Sequence, residues 1–224
     1  ELPGRLGRVS TEHRSRAGFS MNKWLVSVPV VLALTASATH AAGNVEAGKT
    51  KAAPCAACHG VDGNSPANPL WPKLAGQSPE YIQKQIADFK GGVRQDPLMA
   101  PQAALLATDQ DVADVAAFFS AQAQTTGQAQ ADKVELGEQV YRGGNMERGV
   151  AACSGCHGPA GMGNPLAKFP RISGQHADYV SKALKDFRAG NRANDPNGMM
   201  RGVAKQMTDD EIAAVAQYVQ GLSL

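Results

Sequence analysis

The stretch AAPCAACHGVDG, residues 52–63, returns in altered form as VAACSGCHGPAG, residues 150–161. Each copy holds Cys-x-x-Cys-His, and the two copies stand 98 positions apart. The chain has four cysteines. Cys55, Cys58, Cys153 and Cys156 are therefore all taken up by the pair of motifs, each followed at once by a histidine, His59 or His157.

The repetition extends beyond the cysteines. WPKLAGQSPEYIQKQIADFKGG (71–92) and FPRISGQHADYVSKALKDFRAG (169–190) align without a gap at the same offset, sharing Pro72/Pro170, Gly76/Gly174, Gln77/Gln175, Tyr81/Tyr179, Lys84/Lys182, Asp88/Asp186 and Phe89/Phe187. Each half closes on a matching segment, TDQDVADVAAFFSAQ from Thr108 and TDDEIAAVAQYVQGL from Thr208. Two copies are too few for a solenoid, so the pattern is a tandem duplication.

Periodicity predicts helices throughout. Thr108 with Asp111, and Thr208 with Glu211, have the spacing of capping boxes. After them Val112, Val115, Ala116 and Phe119, like Ile212, Val215, Ala216 and Val219, recur at the spacing of one helix face. Ile82, Ile86 and Phe89 (Val180, Leu184 and Phe187 in the second copy) mark a middle helix, ended by glycine. A first helix is expected before each cysteine pair, over 44–53 and over DKVELGEQVYRGG from Asp132. No sustained alternation of period two occurs, so no sheet is expected. The polar, small-residue run SAQAQTTGQAQAD reads as an interdomain linker. The expected organisation is a first domain over 42–120, a linker over 121–131 and a second domain over 132–224.

Residues 1–41 are expected to lie outside that fold. MNKWLVSVPVVLALTASATHA, from Met21, has the basic start, short apolar run and small-residue end of an export signal over 21–41, while 1–20 read as an upstream extension. The apolar run is shorter than the roughly 20 residues of a membrane span. The formal charge of +2 reflects this front end: residues 1–41 hold five of 22 basic and two of 20 acidic residues, leaving 17 against 18, or −1. The basic balance thus gives no reason to expect nucleic acid. Each half is also short of large apolar side chains, with six Phe and two Trp in the whole chain. Domains of 80 to 90 residues are marginal on such a core, and a bulky apolar group bound inside would make up the shortfall.

Export places the thiols in an oxidising compartment, where plain disulfides are the default. A following histidine in both copies has no place in that reading. A four-thiol zinc site would need a much shorter gap between its pairs, and a thioredoxin-type pair a βαβ setting. Cys-x-x-Cys-His is instead the attachment signature of c-type haem. Two thiols on one helical turn reach two vinyl groups along one edge of the porphyrin, and the next residue carries its imidazole under the ring. Two covalently bound c-type haems are expected, with His59 and His157 as iron ligands.

CAACHGVDGNSPA, WPKLAGQ, CSGCHGPAGMGN, FPRISGQH, DFRAGNRAND and YVQGLSL together resemble the dihaem cytochrome c4 family over residues 43–224. The resemblance implies an all-α fold of two tandem cytochrome c-like domains related by pseudo-twofold symmetry. It implies an electron carrier of the periplasm, resting on the membrane surface or free of it, with a membrane terminal oxidase as acceptor. A cytochrome bc-type complex or a small periplasmic redox protein would be the donor. It implies that the carbonyls of Pro72 and Pro170 accept from the ligand histidines, and that a methionine between the middle and closing helices completes each iron. The first half offers Met99. The second offers Met199, nine residues before its capping Thr as Met99 is, and Met200, which fits the family pattern of eight. We take Met200, which requires one extra residue in the first copy near Ala107. Tyr81, Tyr179, Trp71 and Phe169 are expected at the haem pockets, at the haem–haem interface or in ordinary core, and His176 at the surface or an interface.

The rival reading is an enzyme: a dihaem peroxidase, or a haem subunit of a sulfur-compound dehydrogenase. A peroxidase needs one iron without a protein ligand on its far side and an acid/base group there. Asp96 and Asp195 are the acidic candidates in the two distal loops.

Overall fold

The computed structural model describes residues 42–223. The expected extension and export segment lie outside the described residues. Among the described residues the chain forms ten α-helices: α1 Val45–Lys51, α2 Ala53–His59, α3 Pro79–Lys90, α4 Met99–Ala104, α5 Asp109–Ser120, α6 Ala131–Gly143, α7 Ser154–His157, α8 Ala177–Ala189, α9 Met199–Lys205 and α10 Asp209–Gly221. No strand accompanies them there, only isolated antiparallel bridges at Asn145–Val150 and Asn164–Phe169. The all-α, two-domain architecture is as the duplication predicts.

Local chemistry sets the helix limits. Thr108 and Thr208 cap α5 and α10, each accepting from the backbone N–H three residues on while Asp111 or Glu211 accepts from the Thr N–H. Ser78 caps α3, with Pro79 in its first turn. Gly190 closes α8 in the left-handed conformation.

In each domain the first helix crosses the closing one at a glycine. A Cβ on Gly48 would lie 2.0 Å from Asp114 O, and one on Gly137 would lie 2.3 Å from Ala214 O. Only a bare backbone permits that approach. Ile82, Ile86 and Phe89 of α3 then pack on Val112, Val115, Ala116 and Phe119 of α5. The second core gathers Val140, Tyr141, Ile212, Val215 and Val219, with Val180 and Leu184 of α8 at its margin.

In the second copy the first helix covers the expected stretch DKVELGEQVYRGG: α6 ends at Gly143, ten residues short of Cys153. From the crossing glycine to the first cysteine is seven residues in one copy and sixteen in the other. The added residues form a turn closed by two 2.8 Å hydrogen bonds between Asn145 and Val150. Asn145 Nδ2 ties this turn to Glu211 at 2.7 Å, and Arg148 Nε to Gln206 O at 3.0 Å.

The segment between the domains follows a fixed path. Asn64 donates to Ala123 O and accepts from Thr125 N (3.0 and 2.8 Å), while Gly127 N and Gln128 O bond to Gln220. The domains meet through a reciprocal pair of amides. Gln175 accepts from Lys73 N and donates to Lys73 O (2.8 and 3.0 Å), and Gln77 does the same to Arg171 (2.9 and 2.8 Å). Each glutamine thus mimics a short stretch of strand against the other domain, which is how the pseudo-twofold relation is built.

Candidate functional site

Helix α2 carries Cys55, Cys58 and His59 on adjacent turns and ends at Gly60. The single turn α7 carries Cys156 and His157, with Cys153 at its N-cap. No disulfide joins the four cysteines, which are half-buried except for the exposed Cys156. Burial raises the Cys55 thiol and pushes Cys153 up to about 11.

Both histidines are buried. His59 Nδ1–H donates to Pro72 O at 2.9 Å and His157 Nδ1–H to Pro170 O at 3.0 Å. Burial holds both imidazoles below their ordinary value, the carbonyl contact opposing it. Each ring is therefore neutral, with the proton on Nδ1. The lone pair of Nε2 is left for a metal, the usual arrangement of a ligating histidine. The donor set fits a covalently held porphyrin: two thiols three residues apart and a neutral imidazole directly after them. It does not fit zinc, since among the described residues no three His, Cys, Asp or Glu side chains converge.

The first turns of α4 and α9 carry the methionines. Burial fixes how the two copies correspond there. Ala103 and Leu106 are buried in one domain, Ala204 and Met207 in the other. Counting back from each pair sets Met99 opposite Met200, both half-buried, and Leu98 opposite Met199, which are 64% and 40% exposed. Met99 packs on the first core. Asp96 accepts from the N–H groups of Leu98 and Met99, and Asp195 binds Arg201 through both its backbone N–H and its guanidinium. Both carboxylates thus serve to start the methionine helices.

The cytochrome c family model matches residues 45–122 and again 134–223. Cytochrome c4 of Thiocapsa roseopersicina is 57% identical over 183 residues, covering 81% of this chain and 94% of that protein. The chain belongs to the cytochrome c4 family. A crystal structure of reduced recombinant cytochrome c4 from Pseudomonas stutzeri superposes with a TM-score of 0.78 at 47% identity, covering 81% of this chain and all of that one. A further relative, 41% identical over 168 residues (73% of this chain, 76% of that protein), is the thiosulfate dehydrogenase electron acceptor of Stutzerimonas stutzeri strain A1501. As a cytochrome c4 with two cytochrome c domains, the protein binds two covalent c-type haems and carries electrons.

Sequence reasoning missed a pair of arginines in this cytochrome c4. Arg94 and Arg192 lie at the duplication offset, two residues beyond the aligned block, and extending that block would have found them. Each stacks on its own domain's phenylalanine, Phe89 or Phe187, with ring centroids at 4.6 and 4.5 Å. Each then crosses the boundary: Arg192 donates to Tyr81 OH at 2.9 Å and Arg94 to Tyr179 OH at 3.2 Å. Tyr81 and Tyr179 are thus boundary residues through their hydroxyls. Burial opposes ionisation of Tyr179, and the two guanidiniums outweigh it and bring its hydroxyl below the ordinary value. Gly63 and Gly161 lie close against protein: a Cβ would meet Phe119 at 2.7 Å or Ser173 N at 2.9 Å.

Proposed function

We propose that this cytochrome c4 is a periplasmic carrier in which both irons have two protein ligands, His59 with Met99 and His157 with Met200. The observation that carries this reading is the burial register, which gives each domain one half-buried methionine four residues before a buried alanine. Each haem supplies a one-electron ferric/ferrous couple. The chain's part is to hold both axial positions, keep the imidazole proton on Nδ1 through Pro72 and Pro170, and exclude exchangeable ligands. The thioether favours the ferrous state more than a second imidazole would, so positive potentials follow.

The engagement of Asp96 and Asp195 with backbone and Arg201 argues against a peroxidase, which would need a free acid/base group beside an open iron. Export through residues 21–41 supports the periplasm, and no described helix is long and apolar enough to cross a membrane. The acceptor we favour is a membrane terminal oxidase, with a cytochrome bc-type complex or a small periplasmic redox protein as donor. The relative named as a thiosulfate dehydrogenase electron acceptor favours a second donor, a sulfur-compound dehydrogenase. Stopped-flow mixing tests these assignments. The reduced holoprotein should be reoxidised by oxidase-bearing membranes in a cyanide-sensitive reaction and should not consume peroxide catalytically. Catalytic peroxide turnover would overturn the carrier reading.

A further inference from the structure

The two proximal histidines are not held alike. Ser65 N donates to His59 O and Gly163 N to His157 O, both at 2.8 Å, so the two residues are equivalent. Gly163 has no room for a side chain, because a Cβ there would lie 2.4 Å from Phe169 O and 2.6 Å from Pro170 O. Ser65 does carry one. It is fully buried and adopts φ 50°, a strained conformation for a residue with a Cβ. Its Oγ–H donates to Pro72 O at 2.6 Å and lies 3.3 Å from His59 Nδ1. Pro72 O therefore accepts from two donors, whereas Pro170 O accepts from His157 alone among the described residues.

The serine is itself held from the other domain. His176 Nε2–H points at Ser65 O (3.1 Å) and Asn64 O (3.2 Å). The preceding residue, Gln175, clamps both backbone groups of Lys73, which follows Pro72. Two consecutive residues of the second domain thus brace both segments that meet at His59. In the reverse direction Gln77 clamps Arg171, but the place of His176 is taken by Ser78, which caps its own helix α3.

A carbonyl oxygen has lone pairs for both donors, yet each donor draws on the same electron density. A weaker acceptor leaves the imidazole N–H more neutral and the ligand less basic, which favours ferrous iron. We propose that Ser65 and His176 are positioning residues that raise the potential of the first-domain haem by making Pro72 O share its acceptor strength between Ser65 and His59. The second haem has no such arrangement. The separation between the two potentials then depends on the domains being docked.

The inference rests on His59 being an iron ligand. The test is an NMR-followed redox titration of the dihaem holoprotein, with resonances assigned through the two haem-linked cysteine pairs. Ser65→Ala and Ser65→Gly should lower the first midpoint, move the His59 Nδ1 proton downfield and leave the second midpoint in place. His176→Ala should shift the same midpoint in the same direction by less. Ser65→Gly suits the backbone conformation, so folding is not at risk. Unmoved midpoints in the Ser65 variants, a rise of the first, a shared shift of both, or no response to His176→Ala would overturn the inference. If the two-haem count and low-spin spectrum persist in such a case, the axial-ligand reading survives. A first-domain haem lacking a His59 ligand in the wild type would remove both.

Discussion

Leu106 and Met207 hold the same place in the two domains. Each offers its carbonyl to the cation in the last turn of the middle helix, Lys90 Nζ at 2.6 Å and Arg188 Nη1 at 3.1 Å. Counting from these anchors sets Met99 opposite Met200, and between anchor and capping Thr the first copy has one extra residue, Ala107. Met200→Ala should therefore open the second haem to cyanide and abolish its far-red thioether-to-ferric band. Met199→Ala should do neither. The reverse pattern would move the ligand to Met199.

The amide grip of Gln175 on Lys73 predicts mechanical coupling of the domains. Gln175→Ala leaves the buried N–H and C=O of Lys73 without partners, at about 1–3 kcal/mol for each group. In denaturant, the variant's first domain should unfold ahead of the second, followed through resolved NMR resonances of each domain. A transition unchanged in midpoint and shape would contradict the role given to this pair.

Gly137 stands 2.3 Å, measured from its would-be Cβ, from Ala214 O. Gly137→Ala must push α6 off α10 and should cost about 1–3 kcal/mol or more, as overpacking of a close contact does. Gly155→Ala, where an added Cβ meets nothing within 4 Å, is the control and should leave the thermal midpoint in place.

Much of this was legible because helices declare themselves locally. The capping boxes at Thr108 and Thr208, the apolar faces behind them and the two Cys-x-x-Cys-His motifs each lie within a few residues of sequence. The turn at Asn145–Val150 was not legible, since neither its bridge nor its ties to Glu211 and Gln206 leave a periodic signal. Gln77 and Gln175 were visible as identical residues, but their work is done on the backbone of the other domain. Ser65 carries no periodic signal, and its meaning depends on Pro72 and His176 being brought to it.

Asp114 gives a pH signature that Ala214, its counterpart, does not. The N–H of Asn44, then Lys51 and Gln110, hold its carboxyl down from 3.8 to about 2. A group depressed on folding contributes stability above its unfolded value and loses it as pH falls through the folded one. The stability difference between wild type and Asp114→Asn should be largest above pH 4 and shrink towards zero near pH 2. A difference that stays constant over that window would show that the charge is not what matters.

The claim that each iron is gripped from both sides by this chain is tested most directly by low-temperature EPR of the fully oxidised holoprotein, with haem and protein quantified on the same sample. The account predicts two low-spin ferric signals, each integrating to one spin per chain. A high-spin signal from either domain, or fewer than two haems per chain, would contradict it.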